Sequence, residues 1–157
     1  MYSIDTSFFM DWQARYYPLD LFPSLNTRVE ALIATSGFQA VELVLEELKA
    51  IGTPDLKTWA SSHKNVFVPL GPEVQLEAAT IEAKYPDLTD PKGLHQSADA
   101  YVIALAKLSD GVVVSQETSA HEKRNPGKTH YIPDVCRDLG VPCINLLGLM
   151  RREKWRF

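Results

Sequence analysis

Four acids in this chain sit where a folded α/β domain does chemistry. Asp5 directly follows the apolar run Tyr2-Ser3-Ile4, and Glu117 lies three residues past Val112-Val113-Val114. In an open parallel sheet, reacting groups collect just beyond the carboxyl ends of the strands. Asp99 falls in the first turn of an expected helix, and Glu47 precedes Leu48 in another. Brought to one edge, such carboxylates raise each other's pKa and cannot all stay ionised alone. A divalent cation removes that conflict. Hard oxygen donors with no His or Cys beside them select Mg²⁺ or Mn²⁺ over zinc. A cation of that kind activates water and stabilises charge on a phosphodiester undergoing hydrolysis.

Each acid also has a plainer reading. Asp5, ahead of Thr6 and Ser7, suits a helix cap. Asp99 suits the positive end of its helix. Glu47 has neighbours Glu42 and Glu46, any of which belongs on a solvated face, and Glu46 competes with Glu47 for the site. Glu117 reads equally as a loop acid. Asp134, at a helix start opened by Pro133, is either a fifth acid of the site or a stabiliser of that helix.

The elements that must position these groups follow from pattern. Tyr2–Ile4 reads as a strand, and Thr6–Met10 as a loop or first helical turn. Tyr16–Pro23 reads as irregular, because its prolines resist helix on their N-terminal side. Asn26 is expected to cap a helix over Thr27–Thr35, followed by a strand at Phe38–Val41. Apolar residues at Val44, Leu45, Leu48 and Ile51 predict a helix over Val44–Ile51. Asp55 is expected to cap a helix through Ala60, and Val66–Val68 is strand-like. Glu73–Lys84 is helical by the same spacing, and 86–93 is turn-rich. Ser97 is expected to cap a helix over Ala98–Leu108, and Val112–Val114 has the β-branched character of a buried parallel strand. Pro133 opens a helix that Gly140 closes, and Val141–Leu146 is expected to be a last strand. Strands alternating with helices predict an α/β domain with a mostly parallel central sheet, flanked by helices on both faces. No repeat, low-complexity tract or Gly/Ser linker divides the chain, so residues 1–157 are expected to form one domain.

Composition sets the outer limits. At 157 residues, 45% hydrophobic and 23% charged, the chain can bury a core without disulfides. No apolar run approaches the ~20 residues that span a bilayer, so no membrane partner is expected. The start lacks a basic n-region and a cleavage-like site, and Cys136 and Cys143 lack metal-ligand spacing. A cytoplasmic protein with two buried thiols is therefore expected. A net charge of −4 argues against a surface built throughout to attract nucleic acid. The basic residues cluster instead, in Lys123, Arg124 and Lys128 and in Arg151, Arg152, Lys154 and Arg156. Both groups suit either phosphate contact or a solvated surface, as does His121. His63, His95 and His130 have no ligand spacing, and Trp12, Trp59 and Trp155 read as packing residues.

With these residues in view, the chain resembles the PIN-domain nucleases, the superfamily that includes VapC-type toxins. The likeness rests on Ile4-Asp5-Thr6-Ser7, on Glu46-Glu47-Leu48, on the helix opening Ser97-Ala98-Asp99-Ala100, and on Val114-Ser115-Gln116-Glu117. It is also similar to a PIN-like branch with Tyr17-Pro18 early and Ile132-Pro133-Asp134-Val135-Cys136 late. Glu117 departs from the Asp that many relatives carry there. The resemblance implies catalytic and metal-holding roles for Asp5, Glu47, Asp99 and Glu117, with Ser7 and Ser115 as polar supports. It also implies Mg²⁺ or Mn²⁺ as cofactor, RNA as substrate, an antitoxin protein as partner, and a homodimer. A PIN-like domain that binds nucleic acid or protein without cutting is the alternative. A phosphoryl-accepting domain would want a Lys after a late strand, and Val112–Val114 is followed by Ser115 instead.

Overall fold

The computed structural model describes residues 1–89 and 96–157. His95 and residues 90–93 of the turn-rich segment lie outside the described residues. Five strands among the described residues form one sheet: β1 (Tyr2–Ile4), β2 (Phe38–Val41), β3 (Phe67–Val68), β4 (Val112–Val114) and β5 (Cys143–Ile144). Their order across the sheet is β3-β2-β1-β4-β5, and every pairing is parallel. The expected mostly parallel sheet is thus entirely parallel among the described residues.

The order fixes where a site can form. From β1 the chain steps outward to β2 and β3, then returns to β4 on the other side of β1. Parallel neighbours need crossover connections, and the helices lie in these. The strand order reverses between β1 and β4, and in sheets of this kind the crevice lies there, at the carboxyl ends. Ile4 is paired with Val114 there, so Asp5 and Ser115 emerge side by side, with Asp5 N donating to Val114 O at 3.0 Å.

Eight α-helices are found among the described residues: α1 (Thr6–Phe9), α2 (Pro23–Ala34), α3 (Glu42–Ile51), α4 (Pro54–Ser62), α5 (Pro72–Lys84), α6 (Asp99–Leu108), α7 (Ile132–Leu139) and α8 (Leu146–Arg152). A π-helical stretch, Met10–Tyr16, prolongs α1, so the first helical turn expected after Asp5 is the start of a longer element. It is driven by burial: Phe8, Phe9 and Trp12 are fully enclosed and stack with Phe38, Trp59 and Phe67. The tryptophan packing reading holds, with Trp155 partly buried against the same core.

Several expected helix starts shift: α3 begins at Glu42 rather than Val44, and α5 and α7 each begin one residue early, at Pro72 and Ile132. α2 begins at Pro23 rather than after Asn26, because proline is preorganised for the first helical position. α4 is capped by Thr53, whose hydroxyl accepts from Leu56 N at 3.4 Å, and Asp55 lies inside it. α6 starts at Asp99, with Ser97 Oγ accepting its N–H at 3.3 Å. The expected strand Val141–Leu146 is cut to two residues, because Asn145 caps a helix instead by accepting from Gly148 N at 2.8 Å. That places Arg151 and Arg152 on α8, and Glu153 accepts the Tyr2 hydroxyl, tying the chain's end to β1. Gly140 closes α7 in the left-handed region at φ 69°, where a side chain would be strained.

Cys136 is buried and Cys143 only half-buried, a correction to the expectation of two buried thiols. No helix among the described residues is long and apolar enough to cross a membrane.

Candidate active site

Asp5 sits at the end of β1 with 4% of its surface exposed. Its backbone turns from extended strand into α1, so the acid caps that helix, accepting from Ser7 N at 3.3 Å. The same oxygen accepts from the Ser7 hydroxyl and, at 2.9 Å, from Ser115 Oγ at the end of β4. Ser7 Oγ in turn accepts from Gln116 N at 2.9 Å, and Ser115 Oγ from Glu117 N at 3.1 Å. The two hydroxyls lace the strand ends together. The capping reading of Asp5 is thus what the hydrogen bonds show, and the cap leaves the carboxylate at the end of β1 beside Ser115.

Glu47 reaches the same place from α3. One oxygen accepts from Thr6 Oγ1, beside Asp5, and the other from Ala98 N at 2.9 Å, immediately before Asp99. Glu46 points away and pairs with exposed Lys49 at 3.0 Å. The competition between these neighbours is thus decided by helix geometry, since adjacent residues on a helix face about 100° apart. Glu117 accepts from Ile132 N at 3.0 Å through one oxygen. Asp99, in the first turn of α6, has Lys128 Nζ 3.9 Å from its carboxylate.

The four acids feel one another's charge through Asp5 and Asp99. Burial pushes the carboxyls of Asp5, Glu47 and Glu117 upward, and the charge of Asp5 adds to the rise at both glutamates. Asp99 is pushed up to about 8, first by burial, then by Asp5, Glu117 and Glu47, with Lys128 opposing. The structure therefore brings together all four acids named from the sequence.

It does not bring Asp134 into that set. Asp134 accepts from Tyr131 N at 3.0 Å, from Ala120 N at 2.9 Å and from Arg137 at 3.2 Å. Burial would raise its carboxyl, but those donors hold it below the usual range. It stabilises the start of α7 and anchors the loop ahead of it.

Several contributors escaped the sequence reading. Thr6, which positions Glu47, lay within the quoted strand-end motif but carried no signal of its own. Gln116 joins Asp11 at 3.2 Å and accepts from Leu146 N at 2.6 Å, bridging three distant segments. Asp87 and His130 clip the basic loop in place, and nothing in their spacing of 43 residues announces it. Lys123 lies over the Tyr131 ring, 4.3 Å from its centroid, whereas His121 and Arg124 are exposed. His63, which has no ligand spacing, stacks on Trp59 and meets Glu30.

The donor set suits a hard divalent cation, being all carboxylate. Both Asp99 oxygens and one each of Asp5 and Glu117 accept no hydrogen bond from the described residues. Among the described residues, no three Asp, Glu, His or Cys side chains already stand together as a ready set of metal ligands. The acids are gathered within electrostatic reach rather than closed around a point.

No curated protein matches the chain. A family model does, over residues 2–157, and the chain belongs to that family, DUF4411, a domain of unknown function.

Proposed function

We propose that this chain is a Mg²⁺- or Mn²⁺-dependent endoribonuclease of the PIN-like kind, acting in the cytoplasm as the toxin of a toxin–antitoxin pair. One observation carries the reading: four acids from separate parts of the chain converge at the β1/β4 crevice, and Asp99 is held near 8 by burial and by the other three. Carboxylates forced together at that cost to their ionisation are what a divalent cation relieves. Asp5, Glu47 and Asp99 would hold the ion, with Glu117 completing its surroundings. The bound ion would supply activation of water and stabilisation of phosphoryl charge. The protein's own residues do the rest. Ser7 and Ser115 fix the Asp5 carboxylate, Thr6 and Ala98 N–H orient Glu47, and the start of α6 aims Asp99. RNA specificity, an antitoxin partner and a homodimer belong to the same proposal and rest on the resemblance.

One specific observation favours a second reading. Both Glu47 oxygens are engaged by protein donors and the acids are not drawn up around one point, as in a PIN-like module that binds without cutting. A single experiment separates the two. Under the nuclease reading, purified protein cleaves single-stranded RNA only with Mn²⁺ or Mg²⁺, and induced expression arrests growth. Asp5→Asn and Asp99→Asn each lower cleavage at least about a hundredfold, roughly 2.7 kcal/mol of barrier, and release the arrest. Circular dichroism should show the fold retained. Cleavage that survives both substitutions would remove the metal assignment, and absence of cleavage by the wild type would favour the binding module.

A further inference from the structure

We infer that Lys128 is the phosphate-gripping residue of the carboxylate site, and that Asp87 is the positioning residue that holds it there. This rests on the nuclease reading above.

The lysine belongs to a polar loop, yet its ammonium is 3.9 Å from Asp99 and only about a quarter of its side chain is exposed. Its stem runs past Tyr131, with Nζ 4.9 Å from the ring centroid. A lysine serving only to neutralise a buried acid closes to about 2.8 Å and donates to it. Lys128 does not. Its hydrogen bond goes to Leu88 O at 2.6 Å, a neutral carbonyl, so the charge is parked beside the acids rather than spent on one. An ammonium has two further protons to give.

The parking is enforced. Asp87, next to Leu88, accepts from Thr129 N at 2.9 Å and from the Thr129 hydroxyl. It also accepts from His130 N at 3.0 Å, and His130 Nδ1 lies 2.6 Å from its other oxygen. One carboxylate thus fastens the two residues after Lys128 to the segment that ends in its acceptor. A clip of this density on an otherwise irregular loop fixes a charge to a place. Once a cation neutralises the acids, an ammonium at that place meets incoming negative charge, and lysine is a point-charge phosphate binder.

The test uses the whole protein and a labelled single-stranded RNA. Binding is read by anisotropy in Ca²⁺, and steady-state cleavage in Mn²⁺, from 50 to 200 mM KCl. Lys128→Ala is expected to raise Kd and KM about five- to tenfold with kcat within about twofold. It should also lower the slope of log affinity against log salt by about 0.7, the value of one single-strand phosphate contact. Lys128→Arg should restore most of the affinity. Asp87→Asn alone should raise KM about two- to threefold, and added to Lys128→Ala should change nothing further, since it acts through the same group.

An unchanged salt slope and Kd in Lys128→Ala, with the wild type active, would overturn the phosphate role and leave the nuclease reading standing. Additive effects of the two substitutions would overturn the positioning role of Asp87. A wild type that neither binds nor cleaves RNA would overturn both readings together.

Discussion

At the scale of single residues, neighbours in sequence part company. Glu46 and Glu47 are chemically identical, but one pairs with Lys49 in solvent and the other joins Thr6 to Ala98. An exposed pair of that kind contributes at most about 0.5 kcal/mol, so Glu46→Gln should leave both stability and cleavage within about twofold of wild type. Glu47→Gln is a different case. Its amide oxygen can keep the Ala98 N–H, and its NH₂ can donate to the Thr6 hydroxyl, so the hydrogen bonds survive while the charge is lost. Cleavage should fall at least about tenfold with little change in melting temperature. Equal activity of the two variants would exclude Glu47 from the site.

Among the elements, the π-helical continuation of α1 carries a visible cost. Trp12 and Gln13 are both buried in it, and neither the indole N–H nor either amide atom of Gln13 has a hydrogen-bond partner among the described residues. Short π-helical segments trade backbone regularity for side-chain placement. Here the gain is the aromatic cluster: Trp12 packs edge-on to Trp59 at 5.2 Å and beside Phe8 at 5.8 Å. A buried amide left unpaired costs about 1–3 kcal/mol, whereas an apolar group of similar shape avoids that penalty. Gln13→Met should therefore raise the melting temperature, by about 2–4 °C for a domain of this size. A lower melting temperature would mean that the amide is satisfied in solution, by water among other donors.

For the molecule as a whole, the acids tie folding to pH and to divalent ions. Without an ion, Asp5, Glu47, Asp99 and Glu117 all have raised folded pKa values, and that of Asp99 is about 8. Above about pH 4 the unfolded chain releases protons that the folded chain still holds, so stability falls as pH rises toward 8. Asp87 and Asp134 have depressed values and act oppositely, but their contribution is complete once pH exceeds the ordinary carboxylate range. The slope between pH 5.5 and 8 thus comes from the raised acids, at no more than about 1.4 kcal/mol per pH unit for each proton. Metal-free protein should melt lower at pH 8 than at pH 5.5, and Mn²⁺ should stabilise it more at pH 8, because the ion binds the deprotonated acids. Melting curves with and without Mn²⁺ at both pH values check this, and a metal-free protein more stable at pH 8 would contradict it.

Much of this was written in the order of residues. The β-branched run Val112–Val114, the strand ending at Asp5 and the amphipathic spacing through α3 are local patterns, and local patterns fix which backbone forms and which acids fall at strand and helix ends. That sufficed for an α/β parallel sheet and for naming the four carboxylates as candidates. What the chain order could not decide was anything set by long-range competition. Pro23 rather than Asn26 starts α2, and Asn145 ends an expected strand early by capping α8, because packing and capping choose between local signals of similar strength. The choice of Glu47 over Glu46 and the exclusion of Asp134 depend on rotation about a helix axis and on donors up to fourteen residues away. The clip from Asp87 to His130 closes a gap of 43 residues and leaves no periodicity to read. Only when the sheet order places β1 beside β4 do charges far apart in the chain come close enough to repel, and that repulsion is a property of the fold.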